Sequence, residues 1–285
     1  MAVLDCRGRI VDLGRAAVMG VLNIPPDSFS DGGVFIEADK AVQHAVEMVQ
    51  QGAAIVDIGG ESTRPGATAV SAQEEMDRVL PVIEAIIPEI SVPVSIDTSK
   101  PEVMRAAVDA GAGLVNDVNA LQANGALEAA SELGAAVCLM HMRGEPRTMQ
   151  ENPQYSDVVA EVMEFLHARI EAAITAGITR EKIVIDPGFG FGKTLDHNLV
   201  LLRELRQLQD LGVPVLAGLS RKSMIGMALG LPVEQRLHAS VALALIAVQN
   251  GAKIVRVHDV AATVEAIRMW EAVYPDSNDG SKSVN

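Results

Sequence analysis

In Lys182-Ile183-Val184-Ile185-Asp186-Pro187-Gly188 a β-branched apolar run stops at a carboxylate, and Pro187 and Gly188 then prevent the strand from continuing. A strand buried on both faces reads as such a run, and burial gives it no use for a terminal Asp186. The pattern recurs at residues 17–22, 54–58, 92–96, 113–115, 136–140, 213–216 and 252–257. Polar groups close these runs in turn: Asn23, Asp57 with the loop 61–64, Asp97, Asn116, His141, Ser220 to Lys222, and Arg256 with His258. One polar strand end is as readily a helix cap as a functional group. Eight in succession point to a shared site.

Helical stretches with their own punctuation separate the runs. Residues 39–51 end at Gly52, Ser71 and Glu74 form a capping-box pair, and Pro101 takes a first-turn position ahead of a stop at Gly111. Further helices are expected over 156–176, 197–211, 233–249 and 259–273, with Pro81 kinking or splitting the helix that Ser71 opens. The alternation predicts an α/β fold, and it fits a doubly wound sheet as well as a barrel. The polar strand ends decide for a single-domain (β/α)8 TIM barrel over residues 1–274, because in that fold they converge on one mouth. Residues 275–285, rich in Ser, Asn, Asp and Gly, are expected to form a disordered tail.

The 285 residues carry 37 acidic and 23 basic side chains, and the formal charge of -14 opposes nonspecific attraction to nucleic acid or a membrane surface. An anionic substrate therefore needs a local cluster of cations. Aromatic residues make up only 3% of the chain, which predicts a core of aliphatic strands against small-residue helices. Cys6 and Cys138 lack metal-ligand spacing and are expected as buried, inert thiols. With no signal-peptide stretch and no apolar run of about 18 residues, the expected location is cytoplasmic.

Strand alternation puts Ile254, Arg256 and His258 on one face and Val255 and Val257 on the other, so both cations should project at the mouth. Ser220-Arg221-Lys222 opens a helix where the macrodipole disfavours cations, so an anionic or polar group should offset them. The glycine-rich segment from Asp186 to Lys193 lacks Walker spacing; its glycines are read as letting the backbone approach a flat ligand, with a phenylalanine packing on it. Asp97, Asn116 and Asp186 suit a ring edge with several N–H groups, since a carboxylate accepts two parallel hydrogen bonds from an amino-pyrimidinone. A paired-carboxylate glycosidase would use the same residues but leaves the cations unexplained. His141, between Met140 and Met142, reads as a wall residue rather than a catalyst.

These segments resemble the dihydropteroate synthases of the pterin-binding TIM-barrel family. The resemblance runs through Met19 to Asn23, Pro26 to Gly33, Gly59 to Gly66, Ser95 to Thr98, Asn116-Asp117, Met140 to Met142, Asp186 to Lys193, Ser220 to Ser223 and Arg256 to Asp259. It covers the chain except its tail. It implies a transferase of folate biosynthesis that joins 6-hydroxymethyl-7,8-dihydropterin pyrophosphate to p-aminobenzoate, is a sulfonamide target, uses Mg2+ and forms a homodimer.

By the same resemblance Asp97, Asn116, Asp186 and Lys222 hold the pterin, with Phe191 in the binding set, and Asn23 is a metal ligand. Thr63, Arg64, Arg256 and His258 bind the phosphates, while Ser220, Arg221, Phe29 and Pro65 form the p-aminobenzoate site; Arg64, Lys222, Arg256 and His258 are the catalytic candidates. The chain departs from the family at Pro25, where the family carries Thr, and this stiffens the first loop. Two other readings stay open: a pterin-dependent methyltransferase on a related barrel, and an inactive pterin-binding paralogue.

Overall fold

The computed structural model describes residues 3–24, 34–61, 70–144 and 148–275, with the backbone alone for 34–38. Eight parallel strands form the barrel: β3 (Ala17–Asn23), β4 (Ile55–Gly59), β5 (Val94–Asp97), β6 (Leu114–Asp117), β7 (Ala136–Met140), β8 (Ile183–Asp186), β9 (Leu216–Ala217) and β10 (Ile254–Val257). Each pairs with its neighbour in sequence, and β10 returns to β3 with Ile254 opposite Ala17. Between β8 and β9 the ring closes by a single parallel bridge, Ile185 to Val215. All eight expected runs are barrel strands.

Around them lie α1 (Val34–Gln50), α2 (Ala72–Ile86), α3 (Pro101–Asp109), α4 (Ala126–Leu133), α5 (Val158–Thr175), α6 (Leu195–Arg203), α7 (Ser223–Leu229), α8 (Leu237–Gln249) and α9 (Val260–Val273). Ser71 and Glu74 close the expected capping box on α2, and Pro101 is the first residue of α3. Of the two outcomes expected of Pro81, a kink or a split, the split does not occur: α2 runs through it unbroken. A proline removes only one intrahelical hydrogen bond, and the buried Val79, Val82, Ile83 and Ile86 hold the helix to the barrel on both sides of it. The helix expected over 197–211 is α only to Arg203 and then tightens into a 3-10 segment up to Gly212, whose φ of 71° ends it.

The sequence reading missed the element that fills the barrel floor. Strands β1 (Val3–Cys6) and β2 (Arg9–Asp12) form an antiparallel hairpin around Arg7 and Gly8, both at positive φ, 56° and 90°. Its buried Leu4, Cys6 and Val11, with Leu13 just beyond, pack against the inward residues Ala17, Met19, Ile55, Leu114, Ala136, Cys138, Val184, Leu216 and Ile254. The opposite faces of the same strands, Val18, Val56, Ile96, Val115, Val137, Ile185 and Val255 among them, belong to the larger core shared with the helices. Arg9 ties the hairpin to the barrel by donating to the carbonyls of Ile87, Ile90 and Val92.

Candidate active site

One step beyond the floor residues Ile55, Leu114, Val184 and Ile254, the inward residues of β4, β6, β8 and β10 become polar. Asp57 pairs with Ser95 and, one level higher, Asp97 pairs with Asn116 across β4, β5 and β6; Asp186 stands opposite Met140 at the end of β8, and Arg256 enters from β10, opposite Met19. The period of two that places Ile55 in the floor places Asp57 above it. Arg256 donates from Nε to Asp57 Oδ2 at 2.6 Å and from Nη2 to Asp97 Oδ2 at 2.8 Å. Asn116 Nδ2 donates to the same Asp57 oxygen at 3.3 Å. The expected cation is thus present at the mouth but engaged by two carboxylates. Neither the pairing nor Asp57's part in it was foreseen, although Asp57 stood among the polar strand ends.

Asp186 uses one oxygen locally, accepting from the Gly188 N–H at 2.7 Å. Its Oδ2 and the Lys222 Nζ both lie 3.8 Å from where a Gly218 side chain would begin, so Gly218 keeps the space between Asp186, Lys222 and Arg256 clear. Lys222 also donates to the Phe189 carbonyl and stands 4.6 Å from the centroid of the Phe191 ring. Of the two phenylalanines only Phe191 reaches the mouth, half-buried; Phe189 is core.

Two glycines of the loop after β8 have a packing role that the sequence did not reveal. A side chain at Gly188 would begin 1.8 Å from the His141 carbonyl oxygen, and one at Gly192 would begin 2.2 Å from that of Arg143. Gly188 and Gly192 let the β8 loop lie against the β7 loop. The buried Lys193 binds the two loops, its Nζ meeting His141 Nδ1 at 2.9 Å, the Gly188 carbonyl at 2.9 Å and the Phe191 carbonyl at 3.1 Å. His141 is a wall residue as read, and burial with the nearby Lys193 and Arg143 charges drives its pKa down to about 2.

Arg221 has a left-handed backbone, φ 57°, and its guanidinium makes a bidentate pair with Asp259 at 3.0 and 2.5 Å. Asp259 is the anion that a cation ahead of α7 called for. Ser220 Oγ accepts from the His258 N–H at 3.2 Å and lies 3.0 Å from its Nδ1, so the strand ends of β9 and β10 are joined at the mouth. Asn23 is exposed at the end of β3. Phe29, Thr63, Arg64 and Pro65, like Pro25, lie outside the described residues. Glu61, the last described residue before that second loop, accepts from the Val70 N–H beyond it and from Lys100, which also reaches the buried Glu75.

Burial tunes the charges. It raises Asp97 to about 7 despite Arg256, with Asp57 adding to the rise. It also raises Asp186 against the pull of Lys222, and lowers Lys222 to about 8 despite Asp186. A carboxylate and an ammonium group that both titrate near neutrality inside one mouth are typical of a site built for a ligand rather than for stability. Cys6 and Cys138 are buried as expected, and burial raises both thiols, Cys6 to about 12. No helix among the described residues is long and apolar enough to cross a membrane.

Comparison with known proteins meets the same residues. The family model described as pterin binding enzyme matches residues 19–258. Dihydropteroate synthase of Haemophilus influenzae is 52% identical over 269 residues, 94% of this chain and 98% of that protein. Two solved structures superpose closely: Yersinia pestis dihydropteroate synthase with a sulfonamide drug complex (TM-score 0.91, 51% identity, covering 96% and 99% of the two chains) and the Xanthomonas albilineans enzyme in complex with 7,8-dihydropteroate (TM-score 0.85, 51% identity, 95% and 98%). A mouth of carboxylates, amide and lysine on a barrel that matches these proteins end to end leaves one assignment: the chain belongs to the pterin-binding enzyme family, as one of its dihydropteroate synthases.

Proposed function

We propose that this chain joins 6-hydroxymethyl-7,8-dihydropterin pyrophosphate to p-aminobenzoate, giving 7,8-dihydropteroate and pyrophosphate. The observation that carries the reading is Asp186: it spends one oxygen on its own loop and keeps the other beside Lys222, over the space left by Gly218. A carboxylate so held accepts from the amino-pyrimidinone edge, and Asp97 and Asn116 extend the set across the mouth. Lys222 donates towards the ring carbonyl and N5, and Phe191 walls the ring.

The reaction breaks the bond between the pterin methylene carbon and a pyrophosphate oxygen and forms one from that carbon to the aniline nitrogen, which gives up a proton. Cations around the leaving oxygens lower the barrier without a covalent enzyme intermediate. Arg64, Arg256 and His258 take that role in this reading, with Arg256 offering its remaining terminal nitrogen, and Thr63 gives the phosphates a hydroxyl donor. Ser220, Arg221, Phe29 and Pro65 receive p-aminobenzoate, and the Asp259 pair holds Arg221 in place for it. Asn23 fits Mg2+: its exposed amide oxygen is a hard donor, and Mg2+ commonly takes few protein oxygens and completes its shell with water and phosphate. When bound, the ion would neutralise charge on the pyrophosphate.

The protein is read as a cytoplasmic homodimer acting on small molecules. Exposed Met227, Leu229, Ile246 and Met269 on α7, α8 and α9 support an interface there, and sedimentation finding only monomer at every concentration would remove it. Incubation of pure protein with both substrates and Mg2+ should release pyrophosphate only when p-aminobenzoate is present. Pterin binding without turnover would favour the inactive paralogue; methyl transfer from a methylated pterin would favour the methyltransferase.

A further inference from the structure

Below the groups that face the pterin lies a carboxylate for which the reading above has no use. Asp57 is completely buried, and its Oδ2 receives both Arg256 and Asn116. Among the described residues its Oδ1 has no partner, nor do the buried Ser95 Oγ and Asp97 Oδ1. Asp57 pairs in register with Ser95, and Asp97 stands one step higher opposite Gly59, so the three unpartnered atoms lie on adjacent strands. A buried carboxylate with an unsatisfied oxygen is costly, and a buried ion pair is a weak source of stability, so packing does not account for Asp57. Its consequence for its neighbours does. Because Asn116 turns its N–H2 to Asp57, its amide oxygen is turned away from that carboxylate and is open to a ligand donor. Because Arg256 Nε is held at Asp57, its Nη2 arrives at Asp97.

We propose that Asp57 is a positioning residue for pterin binding: it orients the Asn116 amide with its oxygen to the ligand and sets the Arg256 guanidinium against Asp97. The inference rests on the reading that Asp97 and Asn116 hold the pterin, with Arg256 at its pyrophosphate. Asp57 touches none of the ligand itself. It makes the site an acceptor surface, selective for a ring edge rich in N–H donors. The charges facing Asp97 are Arg256 from β10, Asp57 from β4, Asp117 from β6, Glu75 from α2 and Lys222 ahead of α7, and of these Asp57 and Arg256 belong to the proposed unit.

The test uses Asp57→Asn, with Asp57→Ser as the second variant should the first fold poorly, and titrates each with phosphate-free 6-hydroxymethylpterin by calorimetry from pH 5 to 8. A loss of about tenfold in affinity is expected with a cooperative melt retained. The loss should shrink in an Asn116→Ala background, because one of the two routes by which Asp57 acts is that amide. Removal of one negative neighbour should also move the acid limb of binding to lower pH, a change that a merely structural role would not produce. Unchanged affinity and acid limb in a folded variant, or an equal loss in both backgrounds, would overturn the proposal. A wild type that binds no pterin would instead overturn the reading beneath it, and the proposal with it.

Discussion

The two ends of the barrel interior are built by the same strands and obey opposite rules. At the floor, Met19, Ile55, Leu114, Val184 and Ile254 meet the hairpin residues Leu4, Cys6 and Val11 in a purely apolar contact. Two residues beyond Ile55, Leu114, Val184 and Ile254, the side chains of Asp57, Asn116, Asp186 and Arg256 line the mouth, and among the described residues buried oxygens of Asp57 and Asp97 have no partner. The floor gains stability from burying hydrocarbon, whereas the mouth gives stability up by keeping charges out of water. One strand therefore carries fold and function on successive inward positions, and substitutions at the two levels should report on different quantities.

The sharpest break between the levels is Asp186→Asn. The amide oxygen can still accept from Gly188, so the loop holds, while an N–H2 group replaces the acceptor at the mouth. Pterin affinity should fall by roughly 2–5 kcal/mol with little change in melting temperature, and calorimetry showing native affinity would remove Asp186 from the site. Met19→Ala is the complement, about 2–4 kcal/mol of stability lost to a cavity in the floor with the pterin Kd of the folded protein unchanged. Denaturant titration beside calorimetry separates the two; a weakened Kd would mean that floor and mouth are coupled.

Titration of Asp97 sharpens the comparison. Folded Asp97, raised to about 7 by burial against the pull of Arg256 and with Asp57 adding, keeps its proton in a window where the unfolded chain has lost it. The ligand-free protein should therefore lose stability as pH rises from about 4 to about 7, on the order of 1–3 kcal/mol, and Asp97→Asn should flatten that part of the profile. Pterin affinity should move the other way and rise with pH. A stability curve identical in wild type and variant would show that Asp97 is ionised throughout. The smallest effect belongs to neither level: Pro25→Thr, outside the described residues, should alter kcat/KM for p-aminobenzoate by less than about tenfold. An inert wild type beside an active Thr variant would overturn that expectation.

All eight barrel strands were legible because each is an apolar run buried on both faces, and the mouth was legible because a polar residue closes each run. The hairpin was not. Its strands are short and carry Asp5, Arg9 and Asp12, so the apolar signal is only the alternation of Leu4 with Cys6, though Arg7-Gly8 marked its turn. Helix α4, eight residues rich in alanine, gave as little. Within the site, residue types could be read but pairings could not. Arg256 and Asp57 are 199 positions apart, and nothing local tells a carboxylate that will meet a ligand from one that will hold an arginine. Lys193 shows the same limit: its motif was visible, but its bond to His141 exists only once two loops lie side by side.

The hairpin also bears on the order in which the protein can be completed. Leu4 and Cys6 are translated before any barrel strand, yet their seat includes Leu216 and Ile254 from the last two strands, and the Cys6 carbonyl fits only because Gly113 has no side chain to meet it. A chain emerging from the ribosome can build β3 to β8 pair by pair while its leading segment has only part of a surface to dock on. Docking of the hairpin and arrival of β10 are therefore one late event, and chains halted short of Ile254 should leave the N-terminal residues open to protease until synthesis is finished.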